Sequence, residues 1–241
     1  MQLPSFTIPQ HTLVIPSTGK QVTYRPYVTK EEKVLLIAKE SGDIQTIAKS
    51  LKSLIEQCVD GVGNVDDLTS FDFEYIFLKL RAVSVQETVT ARIECDVEGC
   101  LGVVNVDINI NELEPTLHEG HEKKIVLSEA DGIGVVMKYP TVGLITSPQI
   151  SESDESEIET TINMIIGCID QIFDNDASYP ASESTHEELC AFVDSLKGSM
   201  IEKIEEKFFN TMPSISYKST AKCPKCGKEH TISLEGLDDF F

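Results

Sequence analysis

Two cysteine pairs, Cys95-x4-Cys100 and Cys223-x2-Cys226, stand 122 residues apart in this chain. Any fold for it must either bring them together or leave each alone. A short loop between two cysteines puts both thiolates on one side of a turn. Two such turns face to face make a closed tetrahedral S4 site, the geometry Zn²⁺ prefers. Each pair also follows a β-prone stretch and precedes an alternating one. Counted from the second cysteine of each pair, positions six and eight further on are Val106 and Ile108 in one half, Ile232 and Leu234 in the other. We therefore expect Cys95, Cys100, Cys223 and Cys226 to hold one zinc in a zinc-ribbon-like module. Its halves would be residues 85–113 and 214–241, with 114–213 an insertion between them. Lys222, Lys225 and Lys228 would offset part of the centre's negative charge. Two other readings stay open on the residues alone. One uses Cys223, Cys226 and His230 with a single distant ligand; the other has no metal, only thiols stabilising two turns. Four protein ligands would leave no open position for water or substrate, so such a zinc would be structural.

The remaining cysteines fit a reducing compartment. The total is seven, an odd number, and the first residues lack the basic and apolar regions of a signal peptide. A disulfide framework is not expected. Cys58, Cys168 and Cys190 lie in apolar surroundings and read as small buried hydrophobes. No apolar run reaches the roughly 18 residues that a membrane span needs.

The hydrophobic periodicity predicts an α+β chain of helical segments and short antiparallel hairpins. Residues 1–28 read as a β-hairpin around Ser17-Thr18-Gly19-Lys20, with Gly19 free to take a positive φ. Residues 29–84 read as helical. Thr29-x-x-Glu32 has the capping-box form, Gly42 is placed to end the first helix, and Asp43 to cap the second. A third helix is expected over about 71–82. After 85 the period changes to two, and Val104, Val106, Ile108 and Ile110 share a strand face. Within 114–213 a hairpin turns near Asp131-Gly132. An acidic stretch at 152–159 then leads into a helix running to about 173, with Ile158, Ile162, Ile165, Ile166 and Ile169 inward. Ser184-x-x-Glu187 and Ser199-x-x-Glu202 are capping candidates for helices near 186–196 and 200–209. Phe240 and Phe241 would be either an anchor for the C-terminus or an exposed hook for a partner.

Catalytic motifs are not evident. The sequence contains no Gly-x-Ser-x-Gly, P-loop, Gly-x-Gly-x-x-Gly or His-Glu-x-x-His pattern. His118 and His121, beside Glu119 and Glu122, read as a solvated loop before a metal site. Forty acidic residues against twenty basic ones give a net charge of −20, which disfavours nucleic acid as a partner. An acidic zinc-ribbon adaptor that binds transcription machinery remains an alternative.

The stretch IPSTGKQVTYRPYVTKEEKVLLIAKESGD is more specific than any of these. With its Pro-Ser-Thr-Gly turn, Tyr24-Arg25-Pro26, and Lys30-Glu31-Glu32-Lys33 opening a helix, it resembles the baseplate hub subunit family of T-even-type contractile-tailed phages. KLRAVSVQE, the paired cysteines and the CPKCG tail with its terminal Asp-Phe-Phe are similar too, so the resemblance covers nearly the whole chain. The Cys95-x4-Cys100 loop departs from a plain Cys-x-x-Cys. The resemblance implies a non-enzymatic late protein of the virion tail or of its assembly. Its partners would be other baseplate hub and tail proteins, with no nucleic acid, membrane or small-molecule substrate. It would be found in the tail baseplate, in the host cytoplasm during assembly, or in both. A tail-specific chaperone that leaves before completion is the variant of this reading.

Overall fold

The computed structural model describes residues 6–151 and 157–236. The chain divides into two compact units. One comprises Met1–Val65, Phe71–Thr116 and Ser214–Phe241; the other comprises Asp66–Ser70 and Leu117–Pro213. Both mix helices with small antiparallel sheets, as the α+β pattern predicts.

In the first unit, β1 (His11–Val14) and β2 (Gln21–Tyr24) form the expected hairpin, with Gly19 at φ 67°, and β3 (Val59–Asp60) adds to β2. The turn is anchored from outside. Asp72 is buried and accepts hydrogen bonds from the Ser17 backbone N–H at 3.0 Å and from the Ser17 hydroxyl. Three helices follow: α1 (Thr29–Ser41), α2 (Ile44–Cys58) and α3 (Ser70–Ser84). Gly42 ends α1 in the left-handed conformation, and Asp43 caps α2 through the N–H groups of Gln45 and Thr46. The capping of α1 sits one residue before its expected place. The N-cap is Val28, which has no side-chain acceptor, and Glu31 rather than Glu32 reaches back to the Val28 N–H at 2.8 Å. Glu31 also pairs with Arg25 at 3.2 Å, and Arg25 donates to the Gln57 carbonyl, so β2, α1 and α2 are tied through one guanidinium.

The same unit holds two further hairpins. Strands β4 (Thr88–Glu94) and β5 (Val103–Asn109) pair in one; two strands from the end of the chain, Ser216–Lys222 and Glu229–Glu235, pair in the other. Leu78 and Ala82 of α3 pack with Ile108, Ile110, Leu113 and Ile215. Lys79 is buried beside them. Its ammonium donates to the carbonyls of Asn111 (2.5 Å) and Leu113 (3.3 Å), which holds the turn after β5. Thr116 and Ser214, the last and first residues of their segments, bond reciprocally through their backbones at 3.0 and 3.3 Å.

The second unit is built on a four-stranded antiparallel sheet: β6 (Lys124–Ser128), β7 (Ile133–Met137), β8 (Ile169–Phe173) and β9 (Ser178–Pro180). Between β7 and β8 come two single turns, α4 (Val142–Ile145) and α5 (Pro148–Ser151), and then α6 (Glu157–Cys168). After β9 come α7 (His186–Asp194) and α8 (Gly198–Lys207). Completing the first unit's numbering, the strands of the last hairpin are β10 (Ser216–Lys222) and β11 (Glu229–Glu235). The second unit's core gathers Ile125, Val135, Met137, Ile165, Ile204 and Phe208. Each such side chain contributes on the order of 1.5–3 kcal/mol by leaving water.

Three expectations for this unit need correction. The helix expected to reach residue 173 stops at Cys168, because the next five residues pair with β7 instead. Ile158, expected inward, is 71% exposed; Ile165, Ile166 and Ile169 are buried. The box of α7 uses Thr185 and Glu188, not Ser184 and Glu187, and α8 begins after Lys197 with no side-chain cap. Residues 152–156 of the acidic stretch at 152–159, and the terminal Phe240 and Phe241, lie outside the described residues.

Candidate metal centre

The cysteine loops are built alike. In the first, Cys95 follows β4 directly, and its N–H donates to the Gly102 carbonyl at 2.9 Å. In the second, Cys223 follows β10, and its N–H donates to the Lys228 carbonyl at 2.8 Å. Each loop turns through a glycine at φ 76°, Gly99 in one and Gly227 in the other. Cys100 and Cys226 each lie two residues before the closing carbonyl. The Cys-x4-Cys loop thus closes on the same outer frame as the Cys-x2-Cys loop with two more residues between its cysteines, and its glycine precedes the second cysteine where Gly227 follows it.

Beneath the loops the hairpins share a small core. Val104, Cys223 and Ile232 are buried, with Ala91, Ile93, Val106, Ala221 and Leu234 packed around them. This packing brings all four thiols together across the gap in sequence. Cys95 Sγ is 3.6 Å from Cys226 Sγ, and Cys100 Sγ is 3.8 Å from Cys223 Sγ; all four sulfurs lie within 4.8 Å of one another. These separations are far beyond the roughly 2.05 Å of a disulfide. They match the edge of a tetrahedron with metal–sulfur bonds of about 2.3 Å, an edge of about 3.8 Å.

Room for the cluster comes from a residue that the sequence reading missed. A Cβ on Gly102 would lie 2.4 Å from Cys223 Sγ and 3.3 Å from Cys100 Sγ. The available signal was its place two residues after a cysteine, where the other loop carries a lysine. A second missed feature is a clamp between the loops: Lys228 Nζ meets both oxygens of Asp96, at 2.7 and 2.9 Å. Its hydrogen bond to Asp96 raises the Lys228 pKa, and the same bond lowers that of Asp96. Of the three lysines expected to offset charge, Lys228 is the one engaged in this way.

Without a cation the four thiols must share protons, and their environments separate them. The N–H groups of Cys226 and Lys225 pull the Cys223 thiol down to about 7. The Val97 N–H pulls Cys95 the same way, but desolvation and hydrogen bonding with the other three thiols outweigh it and push Cys95 up to about 12. Burial and the neighbouring Cys226 and Cys223 thiols raise Cys100 as well, so one thiolate forms readily while Cys95 and Cys100 resist, the behaviour of a donor set that a divalent cation would complete. The residues fit a tetrahedral thiolate-bound metal.

His230 is not part of the sulfur cluster. It faces inward from β11 and is buried. Its Nδ1 lies 3.7 Å from Asp96 Oδ1, and its Nε2 has no hydrogen-bond partner among the described residues. Its ring nitrogen, Cys95 Sγ and an Asp96 oxygen also lie within 4.8 Å of one another, but Asp96 is already engaged by Lys228.

The other candidates have packing roles. Cys58 and Cys168 are buried, as expected. Cys190 is only partly so, its Sγ 3.4 Å from His186 Nε2. His121 is no solvated loop residue: it contacts Thr211 (3.0 Å) and the Tyr139 hydroxyl (3.1 Å) and stacks against Tyr139. No described helix is long and apolar enough to cross a membrane.

Two cysteine-tipped hairpins clasped face to face define a small α+β protein whose concentrated chemistry is a closed thiol cluster. The chain belongs to the family described as T4 bacteriophage base plate protein, whose model matches residues 8–241. Over 226 residues it is 25% identical to the baseplate hub assembly protein gp26 of Enterobacteria phage T4, an alignment that covers 92% of this chain and 93% of that protein. No solved structure matches it significantly.

Proposed function

We propose that this chain is a component or assembly factor of a phage baseplate hub, acting through contacts with other hub and tail proteins and not through catalysis. The observation that carries the reading is the end-to-end alignment with a baseplate hub assembly protein, in a chain that belongs to the base plate family. The work would be done in the host cytoplasm while tails are built and, if the protein stays, in the tail baseplate. Family membership lends no support to a transcription adaptor.

The finer part of the proposal concerns the cysteines. Cys95, Cys100, Cys223 and Cys226 hold one structural zinc and make the two hairpins a zinc-ribbon-like module, with residues 114–213 inserted between its halves. Support comes from the sulfur separations and from the space that Gly102 leaves. When bound, the metal would cross-link segments distant in sequence; the chain's own residues shape, close and charge-balance the site.

Mass spectrometry of purified tails and of hub assembly intermediates tests the main reading. The protein is expected in the intermediates, and its gene's loss should stop hub completion. Absence from both fractions would overturn the proposal. Presence in intermediates alone would identify an assembly factor that departs.

A further inference from the structure

We propose that the groove between the β8–β9 hairpin and α7 is a docking site for a cationic, apolar segment of a partner protein. This deepens the reading above and rests on it for the partner's source. The groove encloses about 560 Å³, within the ~300–1,000 Å³ of typical binding clefts. Ile172, Phe173, Leu189 and Phe192 supply apolar surface, and three carboxylates, Asp174, Glu183 and Glu188, line it with them. No lysine, arginine or histidine is among the lining residues. Lys124 lies over the Phe173 ring, 4.7 Å from its centroid, but does not line the groove.

The walls are fixed in advance. Asp174 accepts from the N–H groups of Asp176 and Ala177 at 2.8 Å and from the Tyr179 hydroxyl at 3.0 Å, which sets the β8–β9 turn and holds Tyr179 about half exposed. Glu188 accepts from the Thr185 N–H at the start of α7. These bonds orient the carboxylates without neutralising them, and Glu183 has no bonded partner among the described residues. A neutral apolar occupant would bury carboxylates with no counter-charge. An acidic one would be repelled, and a bare cation would leave the apolar surface wet. An aliphatic or aromatic anchor next to arginine or lysine satisfies both surfaces at once.

The test uses the purified full-length chain on two peptide arrays, one of random sequences and one tiling the tail proteins of the same phage. Peptides selected from the random array should combine basic with aromatic or aliphatic residues. Glu183→Lys should weaken their retention about fivefold or more, since it reverses a charge at the contact. Glu56→Lys, on the exposed face of α2 in the other unit, controls for the chain's overall negative charge and should change retention little. Selection of acidic or neutral peptides, no selection, or equal weakening by both substitutions would overturn the docking site. If the random array behaves as expected and no tail peptide is retained, the groove stands and the hub reading loses its support.

Discussion

At the scale of single residues, the least conspicuous position carries a strong steric demand. Gly102→Ala would put a methyl group 2.4 Å from Cys223 Sγ. Overpacking of this kind costs about 1–3 kcal/mol. Urea unfolding should show that loss, and zinc content should fall with it, while Gly99 and the rest of the loop keep their sequence. Cys223→Ser should likewise abolish zinc binding and destabilise the first unit. Cys190→Ser, at a half-buried site outside the cluster, should change stability by less than about 1 kcal/mol. Acid sensitivity has an identifiable source in Glu31. Burial alone would raise its pKa, but the Val28 N–H and Arg25 outweigh that and hold it below 4.5. The folded value is thus below the unfolded one. The stabilisation is complete above pH 4.5 and is lost as pH falls through the folded value. Glu31→Gln should cost about 1–3 kcal/mol at neutral pH, and its stability should depend less on pH below 4.5 than the wild type's. Thermal melts between pH 3 and 7 would show both.

At the scale of elements, β7 and α8 make a pair of opposite predictions from one chemical change. A Cβ on Gly134 in β7 would lie 2.4 Å from the Ile125 carbonyl and 2.3 Å from Phe173 Cζ. One of these neighbours is backbone and cannot turn aside, so Gly134→Ala should cost about 1–3 kcal/mol. Gly198 opens α8 with nothing within 4 Å of the same methyl. There Gly198→Ala should stabilise by about 0.4–1 kcal/mol. Denaturation midpoints of the two variants should move in opposite directions. Elements were legible in the sequence where one local signal dominated. Asp43 and Gly42 mark the ends of their helices because no neighbour competes for either role. Glu31-Glu32 and Glu187-Glu188 are doublets, so each offers two frames for a cap. Packing of Leu35 and Leu189, both buried, goes with frames that local chemistry does not distinguish. Strand β8 was hidden for a different reason. Ile165, Ile166, Ile169 and Ile172 keep helical spacing straight through the break at Cys168. The switch to strand comes from pairing with Val135 and Met137 of β7, a contact between distant segments that a periodicity cannot express.

At the scale of the whole molecule, meeting of the four thiols was legible because two short motifs repeat the same order of strand, knuckle and alternating strand. Partner surfaces were not legible. The groove beside α7 draws its carboxylates from a turn, a short helical turn and the first part of a helix, with no motif linking them. The division into two units makes a prediction that neither part would make alone. The hairpins of the first unit rest on a small shared core of three buried residues, Val104, Cys223 and Ile232, one of which is a thiol of the cluster. The second unit has its own, larger core and none of the four cysteines. If a metal closes the cluster, its binding free energy is stability of the first unit. Chelation at neutral pH should therefore accelerate amide exchange in β4, β5, β10 and β11 while β6, β7 and β8 stay protected. Re-addition of about one equivalent of zinc should restore the slow exchange. Lowering the pH should favour release, because protons compete for the same thiolates and the first to form, on Cys223, titrates at about 7. Equal loss of protection in both units would show that the cluster supports the chain as one cooperative body, and unchanged exchange everywhere would show that no metal is needed to close the hairpins.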